Sequence, residues 1–86
     1  MYSVQYTEKV VKQLKKLDKS TQKLILNWIE KNLDKCDNPR SKGKGLSSNR
    51  SGQWRYRVGD YRIICDIRDN ELIILALSIG HRSQVY

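Results

Sequence analysis

Three arginines near the middle of the chain have the type and spacing expected of a phosphate-binding site. Residues 53–58 alternate between apolar and polar side chains, which predicts a strand with Arg55 and Arg57 on one face. Gly59-Asp60 suits a two-residue hairpin turn, which would place Arg57 directly opposite Arg62. Like charges opposed in this way destabilise a sheet, and the guanidinium fork matches phosphate oxygens, so the pattern predicts a bound anion. The alternative is that two nearby acidic residues, Asp66 and Glu71, neutralise part of this charge within the fold.

The end of the chain adds groups suited to proton transfer and base stacking. Residues 80–86 include His81, Arg82 and Tyr86, and His81 is the only histidine. Because this segment follows the most apolar predicted strand, we expect it to reach the face that carries the three arginines. Histidine is the side chain best suited to moving a proton near neutral pH, and a structural role is the alternative for a lone histidine.

The chain lacks the residue clusters that metals and cofactors need. One histidine and two cysteines, Cys36 and Cys65, make neither a zinc site nor a disulfide framework. No phosphate-binding glycine loop or dinucleotide motif is present, so we expect no metal and no small-molecule cofactor. Metal-free RNA cleavage fits these residues. The 2′-hydroxyl of the RNA supplies the nucleophile, and the protein needs only to position it, move protons and stabilise charge.

Residues 37–52 are rich in glycine, serine, asparagine and proline, which predicts a long loop. Seven of the 17 basic residues fall between positions 40 and 62, where Asp60 is the one acidic residue. Such a cluster favours polyanions, with nucleic acid foremost. Four loop residues are therefore predicted to bind RNA: Arg40, Lys42, Lys44 and Arg50. The alternatives are a loop that only connects its neighbours and a basic surface that only maintains solubility.

Hydrophobic periodicity predicts the elements that position these residues. Apolar residues recur at helical spacing in 10–17 and 24–33, and the short link between the two helices predicts an antiparallel hairpin. A short strand is predicted at 2–6, and three strands are predicted after the loop, at 53–58, 61–67 and 71–79. The order β-α-α-β-β-β predicts one α+β domain over 1–86. Its helical hairpin would pack on one face of a small, mainly antiparallel twisted sheet.

Composition excludes several classes of protein. The 86 residues are 38% hydrophobic and carry a net charge of +8, which is too apolar for a disordered basic tail. The longest apolar run, at 72–77, is far shorter than the roughly 18 residues that span a bilayer. The N-terminus also lacks the charged start and apolar run of a signal peptide. We expect a cytoplasmic protein that does not associate with membranes.

Three stretches of the sequence resemble the RelE/ParE toxin superfamily. They are W-R-Y-R-V-G-D-Y-R at 54–62, I-G-H-R at 79–82 and the closing V-Y at 85–86, and L-K-K-L-D at 14–18 is also typical. The resemblance implies a RelE-like toxin of a type II toxin–antitoxin system. Such toxins are ribosome-dependent endoribonucleases that enter the ribosomal A site, next to 16S rRNA, and cut the mRNA there. A RelB-like antitoxin neutralises them.

The resemblance implies a catalytic role for six residues, namely Arg55, Arg57, Arg62, His81, Arg82 and Tyr86. The arginines bind the phosphate, and Tyr86 stacks on a base. His81 stands where relatives place a candidate acid or base. Because arginine stays protonated at ordinary pH, the proton is expected to pass to His81 or Tyr86. The loop cations would then contact RNA or the ribosome.

The superfamily also supplies the alternative function. ParE-like toxins share the fold but inhibit DNA gyrase by binding the protein, and they typically lack the set of arginine, histidine and tyrosine residues found here. Whether this chain is a nuclease or a gyrase inhibitor is the main question that the resemblance leaves open.

A row of apolar residues is predicted on the sheet face that the helices leave uncovered. Strand alternation places five residues there, together with the arginines: Ile64, Ile73, Leu75, Leu77 and Ile79. An apolar patch of this size is usually an interaction site, and an acidic amphipathic antitoxin segment would suit both the patch and the positive charge. The alternative is that the C-terminal residues fold back over the patch.

Overall fold

Two helices and a five-stranded sheet make up the computed structural model, which describes residues 1–46 and 52–83. The elements are β1 (Ser3–Tyr6), α1 (Glu8–Lys15), α2 (Lys19–Asn32), β2 (Lys44–Gly45), β3 (Gln53–Val58), β4 (Tyr61–Arg68), a 3₁₀ turn (Asp69–Glu71) and β5 (Ile73–His81). The sheet order is β1-β5-β4-β3-β2, with β1 parallel to β5 and the other pairs antiparallel. The predicted α+β fold is confirmed.

The helical hairpin forms where the apolar spacing predicts it. Thr7 caps α1, because its hydroxyl oxygen accepts a hydrogen bond from the Val10 N–H at 3.2 Å. Asp18 occupies the N-cap position of α2, after a link of three residues. Neither helix in the described part of the chain is long and apolar enough to cross a membrane.

One core lies between the helices and one face of the sheet. The helices contribute Val10, Leu14, Ile25 and Ile29, and Leu33 follows α2. The sheet contributes residues that alternate along β3, β4 and β5: Tyr56, Val58, Ile63, Cys65, Ile74, Ala76 and Ile79. Since Tyr56 and Val58 face this core, the intervening Arg57 and its neighbour Arg55 point away from the helices.

A β-bulge between β4 and β5 changes which side chains face the helices. The register shifts after the Ile64–Ser78 pair, because Leu77 is an extra residue in β5. A single inserted residue moves the side chains beyond it to the opposite face. Ile79 is consequently in the core and only 3% exposed.

The prediction of a large apolar patch on the sheet face that carries the arginines is wrong, in part because of this bulge. Ile79 belongs to the core beneath the helices, and Ile64 is only 1% exposed. Three members of the predicted patch lie outside the core and are half-buried: Ile73, Leu75 and Leu77. The apolar surface is therefore smaller than strict alternation predicts.

The segment predicted as an uninterrupted loop contains the short strand β2. Its two residues pair with Arg55 and Trp54 of β3. The Trp54 indole N–H donates to the Lys42 carbonyl oxygen at 2.7 Å, and the Tyr56 hydroxyl donates to the Pro39 carbonyl oxygen. These contacts come from residues distant in sequence, so local composition carries no signal for them.

Candidate nucleic-acid interface

The hairpin of β3 and β4 presents the three predicted arginines on the face away from the helices. Arg57 pairs with Arg62 across the strands, as the two-residue turn predicts, and Arg55 pairs with Ile64. Arg57 is exposed, whereas Arg55 and Arg62 are half-buried. The predicted pairing of Arg57 with Arg62 is confirmed. We refer to Arg55, Arg57 and Arg62 as the arginine face.

Arg68, a further arginine on β4, forms ion pairs with the two acidic residues predicted as the alternative partners of this face. The Arg68 guanidinium lies 3.1 Å from a carboxylate oxygen of Asp66 and 3.9 Å from one of Glu71. These ion pairs lie at the far end of β4 from the turn that joins Arg57 and Arg62.

His81 lies on the opposite side of the sheet from the arginine face. It pairs with Tyr61, a residue packed against the core, and their ring centroids are 5.6 Å apart in an edge-to-face arrangement. Together with Gln13 of α1 and Lys16, which follows that helix, these rings line a cleft of about 490 Å³. The bulge at Leu77 is the cause, because strict alternation would have put His81 on the arginine face.

Ser83 fixes the orientation of the His81 ring. The His81 Nδ1 atom lies 2.9 Å from the Ser83 hydroxyl oxygen and accepts a hydrogen bond from the Ser83 backbone N–H at 3.3 Å. A nitrogen that accepts from a backbone N–H carries no proton itself, so this contact favours the tautomer protonated on Nε2.

Of the other two C-terminal candidates, Arg82 lies close to the arginine face. Its backbone N–H donates to the Asp60 carbonyl oxygen at 2.8 Å, which holds it beside the turn between β3 and β4. Its side chain is exposed. Tyr86 lies outside the described residues, and so does the predicted loop contact Arg50.

Arg40, a predicted RNA contact, is engaged within the fold. Its guanidinium donates to both carboxylate oxygens of Asp69, at 2.9 and 3.0 Å, and lies 6.0 Å from the centroid of the Trp54 ring. The Tyr2 hydroxyl also donates to Asp69, at 2.6 Å. The hydrogen bonds from Arg40 and Tyr2 lower the pKa of Asp69 to about 2, and the same ion pair raises the pKa of Arg40. The Arg40 charge thus anchors the loop to the 3₁₀ turn.

The loop lysines reach the edge of β3 because Gly43 allows a close approach. Gly43 has a φ of +81°, and a Cβ at this position would lie 2.3 Å from the Arg55 carbonyl oxygen. Only glycine fits such a contact in this conformation. Lys42 and Lys44, on either side of Gly43, are exposed and lie next to the arginine face.

A cleft of about 460 Å³ lies beside this loop, and residues of both β3 and α2 line it, including an aromatic one. Its lining residues are Trp28, Lys42, Gly43, Lys44, Arg55 and Arg57. Trp28 has no place among the predicted site residues, because helical spacing puts it on the apolar face of α2. Its place in the cleft depends on a tertiary contact, because the Trp28 ring packs on Tyr56 of β3, whose hydroxyl donates to the Pro39 carbonyl oxygen in the loop.

Neither cysteine offers a reactive thiolate. Both are free, and burial raises the pKa of the Cys65 thiol to about 12 and that of the Cys36 thiol above its usual value. Within residues 1–46 and 52–83, no three histidine, cysteine or acidic side chains cluster as metal ligands would. The groups brought together in the described structure are therefore cations and an aromatic ring.

A sequence profile and a relative both match this chain over nearly its whole length. The sequence profile described as "ParE toxin of type II toxin-antitoxin system, parDE" matches residues 4–86. A RelE-like toxin protein of Escherichia coli is 29% identical, and the match covers 99% of this chain and 90% of that protein.

Solved structures agree with this result. The chain is similar to one in the RelBE2 toxin–antitoxin complex of Mycobacterium tuberculosis, with a TM-score of 0.86 and 26% identity over 94% of this chain and 98% of that chain. It is also similar to one in the archaeal RelE–RelB complex of Pyrococcus horikoshii, with a TM-score of 0.72 and 28% identity over 98% of each chain.

The fold and these matches define a toxin of the RelE/ParE superfamily, as the sequence motifs predict. The chain belongs to the ParE toxin family of type II toxin–antitoxin systems, and within it the protein is RelE-like.

Proposed function

We propose that the protein is a ribosome-dependent endoribonuclease that cuts mRNA in the ribosomal A site and so inhibits translation. The observation that carries the proposal is the pairing of Arg57 with Arg62, with Arg55 one pleat away on the same face. Two guanidinium groups directly opposed on a hairpin are suited to hold one phosphate between them.

In the proposed reaction, the 2′-hydroxyl of the RNA loses its proton and its oxygen attacks the adjacent phosphorus. The bond from phosphorus to the 5′-oxygen breaks, and that oxygen takes up a proton. The products are a 2′,3′-cyclic phosphate and a free 5′-hydroxyl. Arg57 and Arg62 stabilise the charge that develops on the phosphate oxygens, which requires neither a metal nor a cofactor.

The group that moves the proton belongs on the arginine face. His81 points to the other side of the sheet, towards α1. An arginine side chain is a poor base, so Arg55, Arg57 and Arg62 are assigned to binding the phosphate. We therefore assign proton transfer to Tyr86, or to groups of the ribosome around the RNA, and we assign to Arg82 a contact with the RNA beside the β3–β4 turn.

We further propose that a RelB-like antitoxin neutralises the protein in the cytoplasm. The toxins of the Mycobacterium tuberculosis and Pyrococcus horikoshii structures are in complex with their antitoxins. The net charge of +8 favours an acidic partner, and the half-buried Ile73, Leu75 and Leu77 offer it apolar contacts.

Inhibition of DNA gyrase is the second candidate function. Two observations favour it: the matching family is described by its ParE toxins, and His81 is turned away from the arginines. A gyrase inhibitor needs a binding surface but no phosphate-binding pair. The opposed arginines are therefore the feature that separates the two functions.

Two assays on the same preparation distinguish these functions. In a reconstituted translation reaction, primer extension along the mRNA should show breaks within codons that occupy the A site. In a DNA supercoiling reaction, gyrase should work normally at the same toxin concentration. Intact mRNA together with inhibited gyrase would overturn the nuclease proposal in favour of the second candidate.

A further inference from the structure

We propose that the cleft between Trp28 and the loop lysines binds one nucleotide of the RNA. The base would stack on the Trp28 indole, and its phosphate would contact Lys42, Lys44 and Arg57. The inference rests on the proposed function, because it places a second subsite on the same RNA-binding surface, next to the phosphate held by Arg57 and Arg62.

The aromatic wall of the cleft suits a nucleobase. The volume of the cleft, about 460 Å³, falls within the range of about 300–1,000 Å³ typical of small-molecule sites. Trp28 is half-buried, and its ring centroid lies 5.9 Å from that of the buried Tyr56. A ring already packed on one side loses little conformational freedom when a base stacks on it.

The charged wall suits a phosphate. Within residues 1–46 and 52–83, no carboxylate lies within 4.0 Å of the charged groups of Lys42, Lys44 or Arg57. Arg40 and Arg68, in contrast, both form ion pairs. The charges of Lys42, Lys44 and Arg57 are therefore available to an anion from outside the described structure.

The cleft is built by specific contacts rather than by an open loop. Gly43 lies against the Arg55 carbonyl oxygen, the Trp54 indole holds the Lys42 carbonyl oxygen, and Lys44 pairs with Arg55. The backbone that carries the two lysines is therefore held against β3 before any ligand arrives. Such preorganisation lowers the entropic cost of binding.

The position of Arg57 connects this cleft to the cleavage site. Arg57 lines the cleft and also pairs with Arg62 on the arginine face. A nucleotide in the cleft is then a sequence neighbour of the nucleotide whose phosphate is cut. Trp28 and the two lysines would therefore position the RNA strand, and Arg57 is the lining residue that would also contact the phosphate that is cut.

Nuclear magnetic resonance tests this proposal directly, because the chain contains only two tryptophans. The whole protein is titrated with a short single-stranded 2′-O-methyl RNA, which lacks the attacking hydroxyl, and the two indole N–H signals are followed. We expect the Trp28 signal to move in a saturable way. The Trp54 signal should move less, because its N–H is already bonded to the Lys42 carbonyl oxygen.

Variants separate stacking from charge. Trp28→Leu should weaken RNA binding by about 5- to 150-fold, the range that corresponds to loss of one base–aromatic stack. It should leave the slope of log K against log salt unchanged. Lys42→Ala and Lys44→Ala should each reduce that slope by about 0.7, the value for one lost phosphate contact to a single strand. Lys23→Ala, an exposed lysine on α2, is the matched control and should change neither quantity.

Two results would overturn the nucleotide subsite. One is a Trp28 signal that stays in place at millimolar RNA. The other is an acidic glutamate peptide that moves the Trp28 signal as far as RNA does, because charge alone would then explain binding. Neither result would count against the proposed cleavage of mRNA on ribosomes. Conversely, a Trp28 shift with RNA but no mRNA breaks on ribosomes would support the subsite and overturn the proposed function.

Discussion

At the level of single residues, the pairing of Arg57 with Arg62 places two like charges opposite each other. Directly opposed like charges destabilise an antiparallel pair by up to about 1 kcal/mol, and these side chains lie at the β3–β4 turn, close to the exposed Arg82. A phosphate between the guanidinium groups turns this repulsion into two charge-assisted interactions. This pairing is the feature that the proposed function would use.

Arg62→Ala should abolish most of the activity while the fold remains. Removal of one preorganised donor to a developing charge typically costs about 10²–10³ in rate, and single-turnover cleavage of ribosome-bound mRNA measures it. The free energy of unfolding should stay within about 1 kcal/mol of the wild type, because no core volume is lost.

Arg68→Ala is the matched control for this prediction. It removes the same charge from the same face of β4, but at the end where Asp66 and Glu71 pair with it. Its cleavage rate should remain close to that of the wild type. If both variants lose activity equally, then net charge matters rather than the Arg57–Arg62 pair.

His81→Ala should leave the shape of the pH–rate profile unchanged. The ring faces α1 and Tyr61 rather than the arginines, so its loss removes packing and no proton transfer. The measurement is single-turnover cleavage between about pH 5 and 8, the range in which histidines usually titrate. A profile flattened by the substitution would instead show that the RNA bends round the end of the sheet to reach His81.

At the level of secondary-structure elements, the sequence predicts local features well and tertiary ones poorly. The Arg57–Arg62 register is predictable because a two-residue turn fixes it. The bulge at Leu77 leaves no pattern in a strand that is apolar on both faces, and this one residue reverses the predicted faces of Ile79 and His81. The parallel pairing of β1 with β5 and the existence of β2 also depend on contacts between distant segments.

Gly43→Ala should detach the loop from β3. At a positive φ, a residue other than glycine costs roughly 1–3 kcal/mol, and here the added Cβ would also lie 2.3 Å from the Arg55 carbonyl oxygen. Gly52→Ala is the matched control, since Gly52 has a φ of +93° but no atom within 4 Å of the added Cβ. Urea unfolding should show a clearly larger loss for Gly43→Ala. Equal losses would mean that close packing of the loop contributes nothing.

The Arg40–Asp69 ion pair should stabilise the fold only above strongly acidic pH. The folded-state pKa of Asp69, about 2, lies below its ordinary value of 3.8. Its stabilising contribution is therefore complete above about pH 4 and is lost as the pH falls through 2. The difference between the urea midpoints of the wild type and Asp69→Asn should shrink over that interval. A difference that stays constant down to pH 2 would show that the Asp69 charge adds no stability.

At the level of the whole molecule, a small fold with a net charge of +8 would hold RNA mainly through phosphate contacts. Such contacts are not selective for sequence, and they weaken steeply as salt increases. A toxin that depends on them gains selectivity if the ribosome presents the mRNA in one conformation. The positions of the arginine face and the loop lysines on the same side of β3 suit a single strand held in this way.

The central claim is tested most directly by cleavage of one mRNA in two states. The same message is incubated with the protein at physiological salt, once free in solution and once with a chosen codon in the A site of a stalled ribosome, and breaks are mapped by primer extension. We predict clear breaks in the ribosome-bound codon and little cleavage of the free message. Equal cleavage in both states would contradict ribosome dependence, and no cleavage in either state would contradict the assignment as a nuclease.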